Sequence, residues 1–173
     1  MSLKAVLLQP AAPARSRHFF WFAAIAAACL AISQLGSYLV ESSIPQGSSI
    51  VVFPFLHFTH IRNLGGVFGM AQGQGWIFAL FSVALLSALV FYLLRSEHVR
   101  RYEFICFGFV AGGGASNILD RLIYGSVIDF IDVQGIPFWH YVFNTADTFI
   151  HLGLWPMLFI GLFLHRDHAE THA

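Results

Sequence analysis

The composition of this chain excludes an ordinary soluble domain. Of its 173 residues, 57% are hydrophobic and 10% are charged, and the mean hydropathy is +0.70. Soluble domains carry about 25% charged residues, so lipid is expected to be the solvent for most of the surface. The formal net charge is zero, which gives no reason to expect nucleic acid as a partner. Cys29 and Cys106 lie in apolar runs and are interpreted as packing residues rather than a disulfide.

Four apolar segments predict membrane-spanning helices, because a bilayer core of about 30 Å is crossed by about 20 helical residues. The first two segments carry no charge, the third is short and rich in glycine and alanine, and the fourth contains Asp147. The first continues well past Cys29 and is longer than the apolar region of a signal peptide, so we expect it to be retained. The four segments cover residues 19–40, 76–94, 104–119 and 142–164.

The distribution of lysine and arginine predicts the orientation of these helices. Only Arg62 and Arg121 lie in the connections that follow the first and third segments. The positive-inside rule therefore places both termini in the cytoplasm, and residues 41–75 and 120–141 on the outer face. The other seven basic residues, which flank the opposite ends of the segments, are Lys4, Arg15, Arg17, Arg95, Arg100, Arg101 and Arg166.

Both outer connections contain patterns that are typical of short strands. Residues 49–58, SIVVFPFLHF, are β-branched and aromatic and precede a glycine-rich stretch, and residues 125–143 have a similar character. The predicted fold class is therefore an all-α membrane protein with four transmembrane helices, a small extracytoplasmic β element and both termini cytoplasmic. The whole chain is expected to form one membrane-embedded domain, with loose cytoplasmic tails at residues 1–14 and 167–173.

Polar side chains collect at the outer ends of the predicted helices. Asn144, Asp147 and His151 are three and four residues apart and share one helix face, and Asn117 and Arg121 share another. An ionisable residue inside a membrane segment is by default a functional hypothesis, although a structural ion pair between the arginine and a nearby aspartate is the alternative. The polar residues at this interface are Asn63, Asn117, Asp120, Arg121, Asp129, Asp132, Asn144 and Asp147.

The chemistry of these residues favours paired carboxylates over other hydrolase sites. The only lysine, Lys4, lies in the N-terminal tail, which excludes a Ser/Lys dyad, and GxSxG and HExxH motifs are absent. His57 and His60 form an HxxH pair without an apparent third ligand, so no metal or other cofactor is expected. Two close aspartates do not easily both ionise, so the ionised one can activate a water while the protonated one polarises a carbonyl.

At these residues the sequence resembles the bacterial lipoprotein signal peptidases, or signal peptidase II, a family of four-helix membrane aspartyl peptidases. The resemblance covers residues 19–165. Three stretches are similar to family motifs in the same order: GGGASNILDR at 112–121, GSVIDF at 125–130 and FNTAD at 143–147. The earlier stretch RNLGGVF at 62–68 is similar to a fourth.

The resemblance implies an aspartic endopeptidase that cleaves diacylglyceryl-modified prolipoproteins before the lipid-bearing cysteine. It implies a multi-pass protein of the bacterial cytoplasmic (inner) membrane, with its active site facing the periplasmic side. The implied partners are the prolipoprotein substrate and membrane lipid, and a monomer is expected. The implied catalytic dyad is Asp129 and Asp147, and the residues implied to support the site or hold substrate are Asn63, Asn117, Arg121 and Asn144.

The first span departs from the family pattern. Where the family carries D-Q-x-T-K, this chain has Ser33, Gln34 and Ser37 at the polar positions, so a charged pair is missing. One alternative is therefore a catalytically impaired or repurposed paralogue that binds lipopeptide without cutting it. A small transporter or proton relay using Asp147 and His151 is a second, although a transporter is expected to place polar groups near the membrane midplane.

Other residues in this region have structural interpretations. Asp120 is expected to pair with Arg121 or to cap the third helix, and Asp132 is expected to be a solvated loop residue. His151 is interpreted as a satisfied buried histidine. The Gly108-x-x-x-Gly112 spacing predicts a close helix-packing surface.

Overall fold

The structure, a computed structural model, describes residues 15–66 and 69–164. These residues form four helices and four strands with their connections. The tails expected at both termini, and Val67 and Phe68 of the RNLGGVF stretch, lie outside the described residues. The helices are α1 (Arg15–Ser43), α2 (Gly75–Arg95), α3 (Arg101–Tyr124) and α4 (Thr145–Phe159), which continues into a π-helical turn (Ile160–Leu164). The strands are β1 (Ser49–Phe53), β2 (Leu56–Asn63), β3 (Val127–Val133) and β4 (Val142–Phe143).

Three of these helices, α1, α2 and α4 with part of its π-helical turn, are long and apolar enough to cross a membrane. The remaining helix, α3, has 24 residues and extends beyond the expected segment at both ends. At its start the Glu103 carboxylate accepts a hydrogen bond from the backbone N–H of Arg100 at 2.6 Å. At its end Gly125 adopts the left-handed region with φ 73°, and its N–H donates to the carbonyl of Arg121.

The fourth helix begins three residues later than expected. Val142 and Phe143 pair with β3 as the short strand β4. Asn144 then caps α4, because its side-chain oxygen accepts from the backbone N–H of Asp147 at 2.9 Å. The apolar run therefore divides into a strand and a helix, which hydropathy alone does not separate.

The helix α3 packs closely between α1 and α4 through glycines. A Cβ on Gly112 would lie 2.5 Å from the Ala26 carbonyl oxygen and 2.6 Å from the Cβ of Cys29. Gly113, on another face of α3, contacts the backbone of Ala146 in α4 in the same way. The predicted glycine packing surface is confirmed, and Cys29 and Cys106 are both buried free thiols.

The strands form one antiparallel sheet in the order β1-β2-β3-β4, which confirms the predicted β element. Because the strands connect α1 to α2 and α3 to α4, the sheet lies where α1 and α3 end and α2 and α4 begin. A small core joins it to the end of α1 and contains Val40, Ile44, Ile128 and Phe130. At the opposite end of the molecule, the Arg15 guanidinium donates to the carbonyls of Leu93 and Ser96 at the end of α2.

We expect Gly112→Ala to lower the unfolding temperature in detergent. The added methyl meets a backbone carbonyl, so the helices must separate, at a cost of about 1–3 kcal/mol. Gly114→Ala is the matched control on the same helix, since its Cβ meets only the flexible Leu86 side chain at 3.3 Å. Equal unfolding temperatures for the two variants would contradict this account of the packing.

Candidate active site

The two aspartates of the predicted dyad come from different elements of the fold. Asp129 lies on β3 opposite Ile61 of β2 and is 5% exposed. Asp147 lies in the first turn of α4. Both therefore stand at the end of the helix bundle that carries the sheet, and each faces a different set of amide donors.

The side chain of Asn144 connects the two aspartates. Its Nδ2 donates to Oδ1 of Asp129 at 2.8 Å, and its Oδ1 accepts from the backbone N–H of Asp147 at 2.9 Å. The backbone N–H of Asn144 donates in return to Oδ2 of Asp147 at 3.4 Å, which completes a reciprocal cap. Asn144 is 2% exposed, so this bridge is held inside the protein and fixes the helix start against the strand.

Two further asparagines each donate to one aspartate. Asn117 on α3 donates through Nδ2 to Oδ1 of Asp147 at 2.8 Å. Asn63 at the end of β2 donates through Nδ2 to Oδ2 of Asp129 at 3.0 Å. The second contact follows from strand geometry, because Asn63 is two residues from Ile61 and shares its face of the sheet. Neutral amides thus surround both carboxylates.

Burial of Asp129 has an electrostatic consequence. Burial first, and the nearby charge of Asp147 second, raise the pKa of Asp129 to about 7. The hydrogen bonds from Asn63 and Asn144 and the charge of Arg121 oppose this shift. A carboxyl group whose pKa is raised in this way exchanges a proton closer to neutral pH than an ordinary aspartate does.

The guanidinium of Arg121 bonds to backbone rather than to a carboxylate. Its two terminal nitrogens donate to the carbonyl of Asn117 at 2.9 Å and to the carbonyl of Gly65 at 2.8 Å. Among the described residues it forms no ion pair with Asp120 or Asp129, so the alternative of a structural ion pair is not observed. Arg121 instead ties α3 to the connection between β2 and α2.

Asp120 has partners that differ from those expected from its sequence neighbour Arg121. It is 1% exposed. Its Oδ1 accepts from Nε2 of Gln34 at 2.7 Å, and its Oδ2 accepts from the Ser37 hydroxyl at 2.9 Å and the backbone N–H of Ile128 at 3.1 Å. It therefore neither pairs with Arg121 nor caps α3 but joins α1, α3 and β3. Because Ile128 precedes Asp129, this carboxylate also fixes the strand that carries the first residue of the predicted dyad.

The sequence did not predict that Asp120 contacts Gln34 and Ser37, although all three residues are polar positions in or next to the predicted spans. Gln34 and Ser37 are polar, three residues apart and within an otherwise apolar helix, which was the available signal. Ser33 lies beside them, is 1% exposed, and has a hydroxyl without a hydrogen-bond partner among the described residues.

The other polar residues of this region lie outside the dyad. Asp132 is part of β3 rather than a loop, and it accepts from the Thr59 hydroxyl at 2.7 Å. His151 is exposed rather than buried, and its Nδ1 lies 2.7 Å from the carbonyl oxygen of Asp147. His60, in the HxxH pair, is buried with Nδ1 2.6 Å from the carbonyl oxygen of Ile44.

Comparison with known proteins assigns the family. The model of the family described as Signal peptidase (SPase) II matches residues 25–164. The chain belongs to the signal peptidase II family. It is thus a peptidase and a multi-pass membrane protein, and the resemblance seen in its motifs is confirmed.

Several relatives and solved structures support this membership. A lipoprotein signal peptidase of Syntrophomonas wolfei is 36% identical to this chain, in an alignment that covers 79% of this chain and 88% of the relative. One from Alteromonas mediterranea is 31% identical, over 86% and 82%. Two solved structures titled as a bacterial membrane enzyme are similar with TM-scores of 0.71, at 27% and 26% identity, and each covers 80% of this chain. The matched regions make up 84% and 90% of the two solved chains.

We expect Asp120→Ala to destabilise this peptidase and to reduce its activity. The change leaves the Ser37 hydroxyl and the Ile128 N–H buried without an acceptor, at a cost of roughly 2–5 kcal/mol. Asp120→Asn is the milder comparison, since its amide oxygen can still accept from the Ser37 hydroxyl and the Ile128 N–H and only the acceptor for Gln34 is lost, so a smaller loss is expected. Unfolding temperature and peptidase rate measure the difference, and equal values for Asp120→Ala and wild type would refute it.

Proposed function

We propose that this signal peptidase is an aspartic endopeptidase that removes the signal peptide from diacylglyceryl-modified prolipoproteins. Cleavage occurs immediately before the lipid-bearing cysteine, and Asp129 and Asp147 form the catalytic dyad. The observation that carries the proposal is the Asn144 side chain, which is bonded both to the Asp129 carboxylate and to the N-terminus of the helix that carries Asp147. Membership of the signal peptidase II family supports the substrate class.

The proposed reaction uses one proton shared by the two carboxyl groups. Asp129 holds this proton, because its pKa is raised to about 7, and it donates a hydrogen bond to the scissile carbonyl. Ionised Asp147 takes a proton from a water, whose oxygen attacks the carbonyl carbon. The C–N bond then breaks as the cysteine nitrogen receives a proton from the dyad. The products are a signal peptide with a new carboxyl terminus and a lipoprotein with a free amino terminus.

The supporting residues position the dyad and the substrate in this scheme. Asn63 and Asn117 each orient one carboxylate through an amide hydrogen bond. Arg121 holds the connection that contains Gly65 against α3, so that its backbone borders the site. A fixed arrangement of this kind reduces the reorganisation needed when charge develops on the carbonyl oxygen.

The proposed topology has all four helices crossing the cytoplasmic membrane, with both termini in the cytoplasm and the sheet on the periplasmic side. Three helices are apolar enough to span by themselves, and α3 packs along α1 and α4 through its glycines. The basic residues Arg15, Arg17, Arg95 and Arg101 lie at the end opposite the sheet, as the positive-inside rule requires. The dyad then meets the scissile bond near the membrane surface, where water is available.

Substitution of either dyad residue tests the catalytic assignment. We expect Asp129→Asn and Asp147→Asn each to lower the rate of signal-peptide release by at least about a hundredfold, since each removes a group that transfers protons. Asp132→Asn is the matched control on the same strand, because Asp132 bonds Thr59 and lies outside the dyad. The measurement is cleavage of a purified diacylated prolipoprotein, and near wild-type activity in either dyad variant would reject the assignment.

The pH dependence tests which aspartate carries the proton. Because the protonated form of Asp129 is lost above its pKa of about 7, we expect kcat/KM to fall as the pH rises through neutrality. Asn63→Ala removes a donor that stabilises the ionised form, so the pKa rises and the falling limb moves to higher pH. A rate that increases through the same range, or a limb that moves to lower pH in Asn63→Ala, would exclude Asp129 as the proton donor.

The serines of α1 favour one alternative function, that of a paralogue that binds lipopeptide without cutting it. The family's aspartate and lysine are replaced here, and the hydroxyl of Ser33 has no partner among the described residues. Incubation with diacylated prolipoprotein separates the two functions. Release of the signal peptide supports the peptidase, whereas retention of the intact substrate, under conditions where a relative cleaves it, supports the binding protein.

A further inference from the structure

A groove of about 400 Å³ lies between the N-terminal ends of α1 and α3, at the end of the molecule opposite the sheet. Its volume falls within the range of small-molecule sites, roughly 300–1,000 Å³. None of the dyad residues contributes to it, so it is separate from the proposed active site. The lining includes Arg17, His18, Trp21, Arg101, Tyr102 and Ile105.

The groove contains buried hydrogen-bonding atoms that lack partners. His18 is 8% exposed, and its Nδ1 is buried without a partner among the described residues. The Nε atom of Arg101 is also buried without a hydrogen-bond partner among the described residues. Both atoms are closed to solvent, so they lie beneath the groove, whereas the terminal nitrogens of the Arg101 guanidinium are not among the buried unpaired atoms and remain available to a ligand. Arg17 adds a second guanidinium, which is exposed at the rim.

The electrostatics of the groove favour an anion. The helix α3 begins here, so the positive end of its dipole adds to the charges of Arg17 and Arg101. In the described part of the chain, neither arginine forms an ion pair with a carboxylate. The acid in the first turn of α3, Glu103, is already bonded to the Arg100 N–H at 2.6 Å and to the Tyr92 hydroxyl at 3.3 Å.

The other half of the groove is apolar and continues onto the outer surface of the helices. Trp21 is 52% exposed and Ile105 is 45% exposed, and both lie one turn deeper into the apolar segments than the basic residues. A charged group above an exposed apolar surface matches the two parts of a phospholipid. A free inorganic anion would use only the upper half.

We propose that this groove binds one anionic phospholipid of the leaflet opposite the sheet. The phosphate is held by the guanidinium groups of Arg17 and Arg101. An acyl chain runs along Trp21 and Ile105. The site is independent of peptide cleavage, so it stands whether or not the proposed function is correct.

Native mass spectrometry of the full chain, released from detergent, tests the lipid site. Phosphatidylglycerol and phosphatidylcholine with the same acyl chains are the probes. We expect wild type to retain one phosphatidylglycerol in preference to phosphatidylcholine. Arg17→Gln and Arg101→Gln should each weaken retention about fivefold, as expected for one basic residue at an anionic surface.

Arg95→Gln is the matched control. It removes the same charge at the same end of the molecule, but Arg95 lies over the Phe91 ring on α2 and outside the groove. Equal losses in Arg95→Gln and Arg17→Gln would show a general charge effect and would overturn the site. If Arg101→Gln does not fold, the retention measured for Arg17→Gln still tests the site, because Arg17 is exposed and its replacement opens no buried cavity.

Two further arms separate lipid from a free anion. Trp21→Ala should weaken phosphatidylglycerol retention while the arginines remain, because the acyl chain loses its apolar contact. Inorganic phosphate alone should not raise the unfolding temperature as phosphatidylglycerol does. Equal stabilisation by inorganic phosphate, or no effect of Trp21→Ala, would identify a small-anion site and would overturn the lipid proposal.

Discussion

The structure depends on the hydrogen bonds made by one buried amide, that of Asn144. Its side chain accepts a hydrogen bond from the first turn of α4 and donates one to the Asp129 carboxylate. The same group therefore sets the position of the helix α4 and of the strand β3. Helix caps are common, and donors to buried carboxylates are common. Their combination in one side chain makes the relative placement of two acidic residues a property of the fold rather than of flexible side chains.

The same end of the molecule is reinforced by a second buried carboxylate, that of Asp120. Its two oxygen atoms accept hydrogen bonds from Gln34, Ser37 and the backbone of Ile128. The helices α1 and α3 and the strand β3 are therefore joined by one carboxylate. A lysine at position 37, as in the family pattern, would bring a charge to this network. In this chain the Ser37 hydroxyl donates a neutral hydrogen bond to the Asp120 carboxylate.

Much of the fold could be predicted from the sequence, because hydrophobic runs and turn-rich connections follow from local composition. The ends of α3 and α4 could not, since they are set by Glu103, Gly125 and Asn144 through caps and strand pairing rather than by hydropathy. The motifs brought Asn63, Asn117, Asn144 and the two aspartates to attention. The partners of Asp120 and Arg121 are tertiary contacts across long stretches of chain, and no spacing rule predicts them.

The three asparagines around the aspartates have a further consequence. Their amides neither gain nor lose protons in the range where carboxyl groups do, so the scaffold keeps its charge while the dyad changes its own. A change of pH therefore acts on the two aspartates and not on the three amides that bond them.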